Sequence, residues 1–278
     1  MPAPLAMDMS QKARTKFMSF QLKVPSNWQQ PSGEDGKQYN DAFADNEKAV
    51  APGSPPLFLP ATANKYHVDS QKMHIAKIGK FIDDTTKAIC SAWSTWQSSA
   101  SIVGITIAGP SAIGGQVVGP PIGPLIMAQG PKNTPNELKF TTAIANTLNT
   151  AWTTFTATIK IPGLPWWPAY SAVPSPVAPP VPNVPDTFGK LVQVPASIMA
   201  TATKPLMIAA LGDPQAPFHK ELFESIATAF EQCYDSWKMS CQVTNVMPTL
   251  APTTFAPPAV PVGVVVGGQA IMPPGGFV

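Results

Sequence analysis

The chain has 278 residues, of which 34 are proline and 19 glycine, and its 18 basic and 16 acidic side chains leave a formal charge of +2. A hydrophobic share of 44% excludes the polar, highly charged composition of intrinsic disorder, and the absence of a three-residue glycine period excludes collagen. Near-neutral charge with Arg14 as the only arginine also argues against a nucleic-acid binder, since phosphate and base-edge recognition lean on the bidentate guanidinium.

In chain order, residues 1–68 read as an N-terminal arm, largely extended. Its start lacks a secretory layout because Asp8 interrupts the apolar run. The stretch from Pro25 to Pro60 is rich in turn formers such as Ser32-Gly33-Glu34-Asp35-Gly36. Residues 69–131 form a first unit. Ile75, Ile78, Ile82, Ile89, Trp93 and Trp96 recur at three-and-four spacing and predict an amphipathic helix, capped by Asp69 or Ser70. A short strand over Ile102–Ile107 and a Pro/Gly arm follow. Residues 88–131 carry no charge, yet Gly104, Gly109-Pro110, Gly114-Gly115 and Gly119-Pro120-Pro121 leave no apolar helix of the ~20 residues that a membrane span needs.

Residues 132–185 form a second unit, in which Thr134-Pro135-Asn136-Glu137 reads as a capping box with proline at the first helical position. Leu138, Thr141, Ile144, Leu148, Trp152 and Phe155 make its apolar stripe, ahead of a strand over Thr156–Ile161 and a second uncharged arm. Residues 186–213 are an insertion, whose helix Pro195 and Pro205 limit to a few turns. Residues 214–278 form the third unit, with the stripe Leu222, Phe223, Ile226, Phe230, Tyr234 and Trp237, a strand over Cys241–Val246 and a last arm.

The recurrence predicts an α+β fold of three internal repeats, each a long amphipathic helix, a short strand and an extended Pro/Gly-rich arm. One shift of the chain lays Phe81 on Phe140, Ala92-Trp93 on Ala151-Trp152 and Pro120-Pro121 on Pro179-Pro180. A second shift lays Phe81 on Leu222, Trp93 on Tyr234 and Trp96 on Trp237. Allowing for an insertion, Gly114-Gly115-Gln116-Val117-Val118-Gly119-Pro120-Pro121 recurs as Gly267-Gly268-Gln269-Ala270-Ile271-Met272-Pro273-Pro274. Proline lacks an amide donor, so the arms are expected to avoid central strands and run extended, either over the helix of their own unit or across to neighbours.

Little in the sequence points to catalysis, and no enzymatic activity, cofactor or metal site is expected. His67, His74 and His219 match no zinc spacing with Cys90, Cys233 and Cys241, whose odd number and lack of a CxxC argue against a disulfide framework. Carboxylates pair at Asp83-Asp84 and at Glu221 with Glu224, and the latter two, beside Lys220, read as a solvated helix face rather than an acid/base dyad. Gly114-Gly115-Gln116 opens no helix and lacks the Lys-Ser/Thr of a phosphate loop. The candidate interaction residues are Trp166 and Trp167, held between Pro165 and Pro168, and Tyr170, two residues further on. They are either the core plug of the second unit or an exposed aromatic ridge of the kind that anchors interfaces and stacks on sugars.

From about Lys80 to Pro185, the run Ala92-Trp93-Ser94-Thr95-Trp96, the Gly114–Pro121 segment and the proline-rich stretch Pro174 to Pro185 resemble uncharacterised virion structural proteins of tailed bacteriophages. The resemblance implies a non-enzymatic component of a tail or baseplate. Such a protein would be made in the host cytoplasm and located in the virion, and would hold neighbouring subunits through its proline-rich arms. Its partners would be other virion structural proteins or further copies of this chain, with no nucleic acid and no membrane. The alternative is a surface-binding module that uses the Trp166-Trp167-Tyr170 ridge against carbohydrate or a receptor.

Overall fold

The computed structural model describes residues 3–22, 60–108, 111–159, 161–165, 182–191, 196–249 and 266–278. They belong to two units, Met1–Phe20 with Phe81–Val278, and Gln21–Lys80. Helix and strand are mixed, as the α+β expectation requires. In order, the elements are α1 (Ala6–Ser19), α2 (Pro60–Ser99), β1 (Ser101–Ala108), β2 (Ser111–Val118), α3 (Ile122–Gln129), α4 (Pro135–Thr158) and β3 (Ile161–Pro165). Then come β4 (Asp186–Thr187), α5 (Phe188–Leu191), a 3-10 turn at Ala196–Ile198, α6 (Ala200–Leu211), α7 (His219–Ser240), β5 (Gln242–Val243), β6 (Met247–Pro248) and β7 (Val266–Met272).

The long helices follow the residue pattern closely. Thr134 accepts from the Glu137 amide at 3.1 Å while the Glu137 carboxylate accepts from the Thr134 amide at 3.2 Å, and Pro135 takes the first helical position, where no donor is needed. Thr141, Ile144, Leu148, Trp152 and Phe155 are buried along α4, as are Ile82, Ile89, Trp93 and Trp96 on α2 and all six predicted stripe residues on α7. Leu138 departs from its stripe: it lies in the first turn, 43% exposed.

Ring contacts give the helices their direction. Phe81 of α2 meets Phe140 of α4 at 6.1 Å between centroids, and Phe140 meets Phe223 of α7 at 5.5 Å, each 17 or 18 residues before the end of its helix. Trp96 meets Trp152 at 4.8 Å and Trp237 at 6.3 Å, all late in theirs. Residues far from the helix ends touch one another and residues near the ends do likewise, so α2, α4 and α7 run parallel over these stretches. α6 packs on both α4 and α7, and α1 on α7.

The strands form an antiparallel five-stranded sheet in the order β3-β2-β1-β7-β6, with a short pair of β4 and β5 beside it. Register shifts at Val103–Gly104 on β1 and around Gly114 on β2 carry the buried set from Ile102 to Ile105 and Ile107, and from Ala112 to Val117. Gly115 is held at φ +80°, and a Cβ there would come within 2.9 Å of Ile102 and Ile105. The glycine pair that resembles a phosphate loop thus serves the close approach of β2 to β1.

Several expectations need correction. The N-terminal arm is not extended over Ala6–Ser19, which is helical; Met9, Gln11, Lys12, Ala13 and Arg14 are good helix formers and bury Met9 and Ala13 on one face. The first long helix begins at Pro60 rather than at a cap near Asp69. The first arm is not an extended proline segment outside the sheet. Its stretch between Pro110 and Pro120 contains no proline and forms β2, paired on both edges, and the following residues form α3. Pro124 falls in the first turn of α3, where no intrahelical donor is lost, and the Gly123 amide is satisfied by Asn149 Oδ1 at 3.0 Å. The third arm likewise contributes β7 between β1 and β6. The proline rule holds where prolines occur: Pro162, Pro165 and Pro248 sit in β3 and β6, the two edge strands. The second strand starts at Ile161 because α4 continues to Thr158, and the third is split at Asn245, which has φ 58°.

Candidate functional site

Trp166, Trp167 and Tyr170 lie outside the described residues. Residues that approach them, Ile161–Pro165, form an edge strand of the sheet with Ile161 and Leu164 buried.

Groups that resemble chemistry in the sequence have structural partners. Asp83 receives the guanidinium of Arg14, with Nε donating at 2.7 Å and a second nitrogen to the other carboxylate oxygen, and also the hydroxyl of Ser10. Glu224 takes Lys204 at 2.5 Å and Lys16 at 2.9 Å, and the hydrogen bonds from these lysines hold its carboxyl below the ordinary range. Both carboxylates therefore fasten α1, through Ser10, Arg14 and Lys16. The lone arginine and the Asp83-Asp84 pair were the sequence signals for this lock, legible only once residues 6–19 are known to be helical.

The thiols are buried. Desolvation pushes Cys90 up to about 12, Cys233 to about 11 and Cys241 to about 12, well above reactive thiols. Cys90 lies 3.8 Å from the Met9 sulfur, and Cys233 lies 3.7 Å from a carboxylate oxygen of Asp8, so α1 covers both. His219 is 4% exposed and its Nδ1 lies 2.5 Å from the Ala216 carbonyl. Among the described residues, no cluster of His, Cys, Asp or Glu could hold a metal ion, and no helix is long and apolar enough to cross a membrane.

The densest feature is the aromatic junction of the three parallel helices. Trp93, Trp152 and Tyr234 come one from each helix and meet at centroid distances of 4.9, 6.3 and 6.5 Å. Towards the strands, Trp96 stacks on Phe277 at 5.7 Å, and Trp237 Nε1 donates to Gln97 Oε1 at 2.9 Å. Gln97 Nε2 in turn donates to the Phe277 carbonyl at 3.1 Å, tying α7, α2 and the C-terminal segment together. Trp93 Nε1, Trp152 Nε1 and Tyr234 Oη are buried with no hydrogen-bond partner. Close packing of these rings makes the junction a rigid joint, in which each of the three unpaired groups carries a desolvation cost. No protein-family model, curated protein or solved structure matches the chain.

Proposed function

We propose that the chain is a non-enzymatic structural component of a phage particle, from the tail or baseplate, built from three copies of one helix–strand–arm unit. The observation that carries this reading is the order of the strands. The strands that directly follow a long helix are β1, β3 and the β5–β6 segment; the arms supply β2 and β7, and β4 opens the insertion. β2 lies between β1 and β3, β7 lies between β1 and β6, and β4 pairs with β5. In the five-stranded sheet helix-following strands and arm strands therefore alternate: β2 reaches the strand of the second unit and β7 that of the first, and the described end of the second arm reaches the third unit through Asn183, whose amide donates to the Val246 carbonyl at 3.2 Å.

The helices support the triplication independently. The shift that lays Trp93 on Trp152 also lays Ser99 on Thr158, and the shift that lays Trp96 on Trp237 lays Ser99 on Ser240. These three residues are the ends of α2, α4 and α7. The next residues, Ala100, Ile159 and Cys241, are all buried. An interlocked, aromatic-cored body gives mechanical cohesion, which suits a particle subunit and agrees with the phage resemblance of the Trp93–Trp96 and Gly114–Pro121 segments. Protein mass spectrometry of gradient-purified particles of the encoding phage tests it. The chain is expected at stoichiometric abundance, and its absence from intact particles would sink the reading.

A further inference from the structure

We infer that α1 is an acid-released latch: neutralising the carboxylates that hold it frees this helix from the body and uncovers the thiols beneath it. α1 lies antiparallel along α7, with Asp8 beside Cys233 and Lys16 beside Glu224. Its seat is small. Met9 and Ala13 are its buried residues, while Met7 is 80% exposed and Met18 67%. A helix of this length has little stability of its own in water, so its contacts keep it in place. The ion pairs among those contacts end on carboxylates of the body: Arg14, together with the Ser10 hydroxyl, on Asp83 of α2, and Lys16 on Glu224 of α7.

Glu224 stands between two cations, Lys16 of α1 at 2.9 Å and Lys204 of α6 at 2.5 Å, with Lys220 and Glu221 about a turn earlier on its own helix. Ionised, it draws both ammonium groups to itself. Protonated, it leaves them beside each other without the charge that joined them, and attraction gives way to repulsion. Asp83 faces Arg14, and along α2 Lys80, Asp84 and Lys87 lie within about a turn of it. Asp8 holds Lys12 within α1, and the two lie 3.7 and 3.8 Å from the Cys233 sulfur. Acid removes negative charge from each of these places and leaves Lys12, Arg14, Lys16 and Lys204 positive. Hydrogen bonds from Lys204 and Lys16 hold the Glu224 carboxyl below its ordinary value of 4.5, so the latch is closed at neutral pH and opens as pH falls through that lower value.

The rest of the body has less charge to lose. Residues 88–131, 161–185 and 239–278 carry no Asp, Glu, Lys or Arg, and ring packing holds Trp93, Trp152 and Tyr234 together. Release of α1 therefore precedes unfolding of the body, and the three thiols tell the two events apart. Cys90, 3.8 Å from the Met9 sulfur, and Cys233 lie under α1, whereas Cys241 is buried at the end of α7, where its carbonyl accepts from the Phe188 amide at 2.7 Å.

The test uses the full chain and 4,4′-dithiodipyridine, a thiol reagent that works in acid. Labelling is followed from pH 7 to pH 3.5 and assigned to each cysteine by mass spectrometry, and each rate is divided by that of the urea-unfolded chain at the same pH. The expected result is a selective rise of roughly tenfold or more at Cys90 and Cys233 below pH 4.5, with Cys241 still slow. The double substitution Asp83→Asn with Glu224→Gln copies the neutral carboxyls and is expected to expose the same two thiols at pH 7. Any other pattern in the acid series, whether three thiols rising together or Cys90 and Cys233 staying shielded, overturns the inference. So does a double variant whose Cys90 and Cys233 stay shielded at pH 7, or whose Cys241 opens with them.

Discussion

Trp93 touches Trp152, Phe230, Tyr234 and Trp237, side chains from both of the other long helices, so its truncation leaves a cavity where all three meet. Trp93→Ala is expected to cost roughly 3–5 kcal/mol in urea unfolding, enough to threaten folding altogether. Tyr234→Phe is the informative partner. Burial without a partner pushes its phenol pKa upward and leaves Oη unpaired, so removing the hydroxyl is expected to leave the urea midpoint unchanged or raise it. A fall of more than about 1 kcal/mol would show that Oη makes a bond. Gly115→Ala combines a positive φ with a clash on Ile102 and Ile105, and is expected to destabilise by roughly 1–3 kcal/mol; Gly104→Ala, with φ +70° in open space, is expected to cost less. At this scale the sequence was readable wherever a residue type has one dominant use. The Thr134–Glu137 box and the aromatic stripes stand where spacing puts them, whereas Leu138 obeys the period but lies too near the helix start to be covered.

α1 is one element that residue patterning did not reveal, because its charges looked like those of a solvated arm. Its seat gives two measurable outcomes. With α1 in place, Cys90 and Cys233 are shielded and their thiols held above the ordinary value, so the full chain is expected to react slowly with a thiol reagent at pH 8. Removal of residues 1–20 is expected to make two thiols reactive while Cys241, buried elsewhere, stays slow; fast reaction of the intact chain would contradict this placement. Glu224 sets a pH dependence. Its folded pKa is depressed by Lys204 and Lys16, so its contribution is fully present above the ordinary value of 4.5 and is lost as pH falls through the lower folded value. Glu224→Gln should flatten that part of the stability curve between neutral pH and acid. The Arg14–Asp83 pair is bidentate but its side chains are 47% and 42% exposed, which limits a double-mutant coupling to about 1 kcal/mol. Strand β2 was missed for a different reason. The prolines around it made the whole arm look unfit for a sheet, although the residues between Pro110 and Pro120 keep every amide donor.

At the scale of the whole molecule, nothing in spacing alone says that the helices run parallel, that β2 lies between β1 and β3, or that β7 lies between β1 and β6. That arrangement depends on contacts between residues far apart in the chain, where local periodicity carries no information. It also decides what the arms do. Within the described residues they satisfy strands of the same chain, so exchange between chains is not needed to complete the sheet. Light scattering of the purified full-length protein tests this most directly. Three units that complete one another predict a monomer with a mass near 29.4 kDa, unchanged on dilution. A stable trimer or larger ring would mean that the arms cross between chains, and would contradict the single-chain, three-unit body.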